Sequence, residues 1–510
     1  MTFLEDRDFR DVPAIKEYYK GKTIFITGGT GFMGKVLIEK LLYSCTELDR
    51  IYLLLRKKKG VNPDERLKVL YESLCFTRLK KERPGVFESK VFFIGGDVSE
   101  IGLGISEEDR SLLINRVNIV FHVAASVRFD DKLDSSAKMN LRGTREMVQM
   151  AEEMSNLESF VHVSTGYANT NRETIEEVVY PPLADWRDTL LVCETTDTNV
   201  LAALTNKYIG DMPNTYVFTK QLAEHVVYEK KGKLPATIIR PTIVSPSWRE
   251  PFEGWIENFN GPVGLLTAIG LGVLRTAYSS NNMQDYVPVD TAIRMFIVVG
   301  WVRGTKKLEA TDDIPVYNCC SGSLQNISLE YLRKMSMDII EKYPFDKSLW
   351  VVRGFYTDSE FIYNLSVFFE HLLPALALDG VLKLLRKKPM MLTMTRRIFI
   401  AQSALQYYTL NKWTFVDNNH LELRSVIKDC DVEDFFYGFD LIKLYEYLED
   451  NILGVKKFLF KEKLEDLPKA KARRMRLVVL NKILTSIFYT TSAWWIYNTD
   501  LVQNIIQSIH

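Results

Sequence analysis

From Thr23 to about Ser245 the chain alternates two textures: short runs that are apolar at nearly every position, and longer stretches whose apolar residues recur at helical spacing. The runs Thr23–Thr27, Ile51–Leu55, Val91–Ile94, Asn118–Ala124, Phe160–Ser164 and Ala236–Arg240 predict strands, and Lys35–Leu42, Ser106–Val117 and Ala137–Met154 predict helices between them. A strand with no polar side must be covered on both faces, and crossover helices supply that cover. The pattern therefore predicts an α/β fold with a doubly wound, Rossmann-type parallel sheet, to which Ile314–Cys320 adds a late strand. Between Thr165 and Tyr216 the interval is longer than a loop needs, and its apolar spacing predicts inserted helices. After about Phe355 the alternation stops and aromatic-rich stretches of helical period take over. The predicted organisation is a doubly wound α/β domain over residues 1–354, a mainly helical domain over 355–470, and a distinct tail over 471–510.

The tail stands out by its polarity. Leu477–Tyr497 is largely apolar, and at ~1.5 Å per residue its helix spans ~31 Å, near the ~30 Å of a hydrocarbon core. KARRMR precedes it, and Trp494, Trp495 and Tyr497 gather at its far end, the arrangement of a membrane anchor with a cytosolic basic flank. Asn481 and Lys482 oppose that reading, leaving a surface or docked helix as the alternative. Phe361–Leu378, which contains Glu370 and His371, predicts a buried or membrane-facing helix that does not span.

Charge and cysteine usage narrow the function classes. The 510 residues carry 65 basic and 65 acidic side chains, a balance that gives no reason to expect nucleic acid. Six cysteines without a CxxC pair predict reduced thiols and no metal centre. The N-terminal stretch is charged throughout, unlike a secretory leader, so the folded part is expected to face the cytosol. The ending QSIH is not a peroxisomal address, which leaves the endoplasmic reticulum as the favoured membrane, ahead of peroxisome or lipid droplet.

The candidate chemistry begins at ITGGTGFMG, where Gly28, Gly31 and Gly34 follow the first strand and open the first helix. Glycines there permit a tight turn, close approach to a pyrophosphate and close packing of helix on strand, while the helix N-terminus attracts phosphate. A ligand-free βα turn is the plain alternative. Asp49 precedes the second strand, the wrong end for a ribose contact; Arg56 follows it, with Lys57, Lys58 and Lys59, and a cation there suits the 2′-phosphate of NADP. Asp97 and Val98 follow the third strand, and Ala124 ends the fourth with little bulk in the way of a cofactor. Ser164 and Thr165 sit at the C-terminal end of the fifth strand, where open α/β sheets bind ligands, although strand ends also use hydroxyls for local backbone bonding. Tyr216 and Lys220 are one helical turn apart, and an ammonium beside a phenol is expected to lower its pKa and improve it as a proton donor. Asn140 either orients a proton relay from Lys220 or packs a bent helix, and Trp255–Leu274 either lines an apolar tunnel or fills core.

These residues, in this order, resemble the extended short-chain dehydrogenase/reductases and, within them, the animal fatty acyl-CoA reductases. The similar blocks are GKTIFITGGTGFMGKVLIEKLL, HVAASVRFDDKL, VHVSTGYAN, GDMPNTYVFTKQLAE, TIIRPTIVSPSWREPFEGWIENFNGPVGL and VYNCCSG, and the resemblance runs from about residue 15 to 450. It implies reduction of a long-chain acyl-CoA by NADPH to a primary alcohol through a retained aldehyde. Thr165, Tyr216 and Lys220 are then the catalytic set. Thr27, Gly28, Thr30, Gly31, Phe32, Met33 and Gly34 cradle the cofactor, together with Arg56, Asp97, Val98, Ala124 and Ser164. Gly166 departs from the family, where alanine is usual. Other readings left by the residues are an extended dehydrogenase acting on a sterol or nucleotide-linked sugar, and a silent membrane-tethered NADP-binding scaffold.

Overall fold

The computed structural model describes residue 4 and residues 9–56, 63–310, 312–322 and 327–498. Seven strands form one parallel sheet: β1 (Thr23–Thr27), β2 (Arg50–Leu55), β3 (Val91–Gly95), β4 (Ile119–His122), β5 (Ser159–Val163), β6 (Ala236–Pro241) and β7 (Val316–Cys319). Their spatial order is β7-β6-β5-β4-β1-β2-β3, so the chain leaves β1 in one direction through β2 and β3, then returns to lay β4 on its other edge. The reversal between β1 and β4 opens a crevice at the carboxyl ends of the strands, where dinucleotides bind in such sheets. Every predicted strand is present, shifted by a residue or two at its ends. Strands β1, β4, β5 and β6 are buried along their whole length, which is why they read as unbroken apolar runs.

Helix α1 (Phe32–Ser44) follows β1, and α2 (Gly143–Glu153) continues a π-turn over Ala137–Arg142. The interval after β5 forms α3 (Trp186–Thr195) and α4 (Thr198–Tyr208), each capped by an aspartate, Asp185 and Asp197, that accepts from two backbone N–H groups of its first turn. Helix α5 (Thr215–Tyr228) precedes β6 and α6 (Val289–Gly304) precedes β7. Leu190 and Cys193 of α3 and Leu201 of α4 are buried in the same core as Phe218 and Leu222 of α5, and the Tyr208 ring stands edge-on to Phe218 at 5.9 Å.

Contacts divide the chain into two compact units, neither continuous in sequence. The first takes residues 1–257, 282–329 and 407–454; the second takes 258–281, 330–406 and 455–510. The division expected at residue 354 treats the helical part as one block, whereas residues 407–454 pack with the sheet. In the first unit Trp255 and Ile256 are buried; in the second, Pro262–Gly270 is a helix, with Gly270 lying against the Phe345 ring.

The second unit contains α7 (Glu360–Leu384) and the body of α8 (Met391–Leu410), whose last turn belongs to the first unit. It also contains α9 (Leu467–Tyr497), the tail helix. Among the described residues the helix long and apolar enough to cross a bilayer is α7, with a mean hydropathy of 1.5, and not the tail. The expected anchor was Leu477–Tyr497, where Asn481, Lys482 and interspersed Thr, Ser and Tyr dilute the apolar character, and α7 was expected to face a membrane without spanning it. Early in α9, Arg473 donates to the Ser348 carbonyl at 2.9 Å and Asn481 accepts from the Trp350 indole at 3.1 Å, so the polar residue inside the apolar stretch has a protein partner. Beyond it Ile483, Leu484, Ile487 and Phe488 are exposed.

Candidate active site

The glycine turn is built for closeness. Gly28 has φ +77°, and a Cβ there would stand 2.8 Å from the Ala124 nitrogen. A Cβ on Gly34 would stand 2.2 Å from the Gly28 carbonyl oxygen. Both obstacles are backbone, so neither position tolerates a side chain. Gly31 caps α1 without a side chain, and Thr30 and Gly31 are exposed beside half-buried Phe32 and Met33. The N-terminal N–H groups of a 13-residue helix therefore stand uncovered next to a bare backbone, an arrangement that fits a pyrophosphate. Thr27 does something else: its hydroxyl is buried, pairs with His122 Nδ1 at 2.9 Å and accepts from the Ala124 N–H at 3.2 Å, pinning the ends of β1 and β4 together.

At the end of β2, Arg56 is exposed and its Nε meets Asp97 Oδ2 at 2.9 Å. Asp97 also accepts from the Ser99 N–H and hydroxyl. Two residues predicted separately thus form one pair, which holds the guanidinium at the strand's end. Lys57, Lys58 and Lys59 lie outside the described residues. Val98 is mostly buried and packs on Gly143, where a Cβ would meet it at 2.3 Å. Asp49 accepts from Thr23 Oγ1 at 3.2 Å at the opposite end of the sheet, as its place ahead of β2 requires.

Thr165 and Lys220 are buried at the carboxyl end of β5, with Tyr216 half-buried beside them. Lys220 Nζ donates to the Val163 carbonyl at 2.6 Å, fixing the helix α5 to that strand end. Burial brings the Lys220 ammonium down to about 8, with Glu224 acting against the shift. Desolvation pushes the Tyr216 phenol up to about 12, and a hydrogen bond with Thr165 pulls the other way. The expected lowering of the tyrosine pKa by the neighbouring lysine is therefore corrected: desolvation raises the phenol, and the ammonium donates to a backbone carbonyl. Ser164 keeps a buried hydroxyl with no hydrogen-bond partner among the described residues. An orphan donor at a strand's carboxyl end costs stability and suits a site that meets a ligand.

Several neighbours hold this geometry. Arg240 on β6 grips Glu224 on α5 through two bonds, at 2.8 and 2.7 Å, with both side chains buried. Asn140, inside the π-turn, accepts from the Ser126 N–H at 2.8 Å and donates to Thr219 Oγ1 at 3.1 Å, so it ties the loop after β4 to α5. Asn214 caps α5 through the Val217 N–H at 3.0 Å and donates to the Tyr408 hydroxyl at 2.9 Å.

Sequence reasoning missed what Tyr408 belongs to. The rings of Phe129 and Tyr216 are 5.9 Å apart, Phe129 and Tyr408 5.2 Å, Tyr167 and Tyr408 5.2 Å, and Tyr167 and Trp413 5.5 Å. Two of these rings come from the far C-terminal segment, which adds Thr414–Phe415 in parallel to Thr174–Ile175. Gly166 makes room for that segment: a Cβ there would meet the Phe415 ring at 3.1 Å. The usable signal was the aromatic density of QYYTLNKWTF.

Comparison with known proteins bears on the same residues. Two family models, both described as male sterility protein, match residues 26–296, as an NAD-binding domain, and 370–462. Human fatty acyl-CoA reductase 1 is 38% identical over 465 residues, covering 91% of this chain and 90% of the relative. Mouse fatty acyl-CoA reductase 2 is 36% identical over 493 residues, covering 96% and 95%. Among solved structures, the terminal R domain of the myxalamid biosynthetic pathway aligns with a TM-score of 0.56 at 16% identity, covering 87% of this chain and 92% of that one. The reductase domain of a nonribosomal peptide synthetase from Mycobacterium tuberculosis gives 0.56 at 15%, covering 89% and 94%. These two establish likeness of fold. The NAD-binding match over the glycine turn makes the cofactor a nicotinamide dinucleotide. With that match spanning the sheet and the curated relatives aligned along nearly their whole length, the chain belongs to the fatty acyl-CoA reductase family.

Proposed function

We propose that this protein reduces a long-chain fatty acyl-CoA to a primary alcohol and free CoA at the expense of two NADPH, keeping the intermediate aldehyde bound. The observation that carries the reading is the meeting of Thr165, Tyr216 and Lys220 at the carboxyl end of β5, within a sheet whose β1–α1 turn is stripped to bare backbone. A bound reduced nicotinamide supplies hydride. Everything else falls to the chain. Hydride arriving at a carbonyl carbon leaves negative charge on its oxygen, and groups that meet that charge in the transition state raise the rate. Tyr216, at about 12, holds its proton throughout the neutral range and gives it to a more basic alkoxide. Thr165 shares a hydrogen bond with the phenol and orients it, and Lys220 supplies the nearby positive charge while anchored to Val163.

The first reduction, followed by departure of the CoA thiolate, yields an aldehyde; the second yields the alcohol. Phe129 packs beside the phenol, and Tyr408, Tyr167 and Trp413 continue from it as one cluster of rings, an apolar side to the site that favours a retained aldehyde. Arg56, steadied by Asp97, is the residue we assign to the 2′-phosphate of NADPH. Gly28, Gly31 and Gly34 take the pyrophosphate, with Thr27 setting the turn and Thr30, Phe32, Met33, Val98, Ala124 and Ser164 around the cofactor. The test is purified protein with NADPH and palmitoyl-CoA. Two cofactors oxidised per alcohol formed supports the reading, and absence of thioester-dependent oxidation across chain lengths removes it.

A further inference from the structure

We infer that α7 and the basic turn after it form a membrane contact, lying in one leaflet of an anionic bilayer without crossing it. The inference goes beyond the catalytic reading and does not depend on it.

One face of α7 is committed to protein: Tyr363, His371, Ala375 and Asp379 are buried. The rest is apolar and bare. Phe361 is 76% exposed, and Leu365, Phe368, Leu372 and Leu376 continue the stripe at helical spacing, each between 37% and 50% exposed. A run of this extent on a helix is the mark of an interaction surface. Its acidic groups are used internally: Glu370 takes Thr276 and Arg353, and Asp379 accepts from the N–H groups of Met390, Met391 and Leu392, folding the chain back at the helix end. From Gly380 to Leu410 the sequence has no acidic residue, while Arg386, Lys387, Lys388, Arg396 and Arg397 make no ion pair among the described residues. Apolar stripe and unpaired cations together fit lipid tails beneath anionic headgroups.

Connectivity decides between lying and spanning. The stretch 330–406 leaves the first unit and returns to it, and one folded unit occupies one side of a bilayer. If α7 crossed, α8 would have to cross back, carrying Arg396 and Arg397 at ~2.5–3.5 kcal/mol each near the bilayer centre. The hairpin therefore stays in one leaflet, its cations at the headgroups and the α7 stripe ~5–10 Å deep.

The test uses the full chain carrying Cys430→Ser, which removes the exposed native thiol, with Phe368→Cys or Leu376→Cys labelled by an environment-sensitive dye. Reductase rates near those of the unlabelled protein confirm folding. On vesicles of phosphatidylcholine with phosphatidylserine, the dye emission shifts to the blue and is quenched more by spin labels near the headgroups than by labels at the chain ends. Combining Arg386→Glu, Lys387→Glu and Lys388→Glu, or omitting phosphatidylserine, weakens that quenching. Stronger quenching from the chain ends means a crossing helix and overturns the proposal. A blue shift with no quenching means that a second copy or another protein covers the stripe, and overturns it too. Equal quenching on phosphatidylcholine alone overturns the anionic part.

Discussion

Lys220 holds its charge where folding disfavours it, and the size of that cost is open to measurement. The side chain is 2% exposed, and burial brings its pKa from 10.5 to about 8. Below pH 8 folded and unfolded chains both carry the proton, so the folded state bears the whole penalty. Between about 8 and 10.5 the folded chain has released it and the unfolded chain has not, so stability rises with pH across that window. At ~1.4 kcal/mol per pH unit the penalty is ~3 kcal/mol. Lys220→Met keeps the length and removes the charge, but it also loses the 2.6 Å bond to the Val163 carbonyl, a charge-assisted bond worth ~1.5–3 kcal/mol. The two effects nearly cancel at pH 7, leaving the variant as stable as the parent or up to ~1.5 kcal/mol more stable, while turnover collapses. The decisive readout is the stability difference between parent and variant, from urea unfolding in detergent at a series of pH values. It moves in favour of the parent by ~3 kcal/mol between pH 8 and 10.5. A difference that stays flat across that interval refutes the account of a buried, costly ammonium.

Tyr216→Phe lowers kcat/KM by ~10²–10⁴ with NADPH affinity kept, read by turnover and by fluorescence titration; near-normal turnover overturns the acid assignment. Arg56→Glu weakens NADPH binding far more than NADH, since it sets a carboxylate beside Asp97 where a phosphate is to be held; equal losses for both cofactors remove Arg56 from the phosphate. Gly34→Ala drives a Cβ to 2.2 Å from the Gly28 carbonyl oxygen and 2.7 Å from Gly29 Cα, so it costs ~1–3 kcal/mol of stability and most of the dinucleotide affinity; unchanged binding contradicts the packed-turn geometry.

The sheet was legible because most of its strands are buried on both faces, so that runs such as IYLLL recur at strand length between stretches of helical period. The glycine turn was legible for a related reason. Gly28 and Gly34 each oppose backbone, a requirement no other residue type meets, so their spacing carries information that survives outside the fold. The acidity of Tyr216 was not legible. Spacing puts the phenol and the ammonium on one helix face, but the competition between desolvation and a neighbouring charge depends on what surrounds them, and here the ammonium turns to a carbonyl of β5. Arg56 and Asp97 show the same limit from another side, since residues on two strands become partners only when those strands are neighbours.

The return of residues 407–454 to the sheet explains the most about the site. Read along the chain, QYYTLNKWTF follows a long helical stretch and looks like more of it. In three dimensions Thr414–Phe415 extends Thr174–Ile175, Trp413 and Tyr407 donate to the Thr170 carbonyl at 3.2 and 3.1 Å, and Tyr408 accepts from the cap of the catalytic helix. Asn214 thus serves two masters, the first turn of α5 and a ring supplied from nearly two hundred residues away. The placement of the phenol is accordingly not a property of the βα units alone. A chain ending ahead of Tyr407 keeps every glycine, Thr165, Tyr216 and Lys220, yet lacks the rings beside Tyr167 and the hydroxyl that holds Asn214. Desolvation raises the Tyr216 phenol, and Phe129 beside it packs on Tyr408, so loss of the C-terminal rings opens the phenol's surroundings to water and lowers that shift, which makes the C-terminal segment part of the acid's setting by physics rather than by motif.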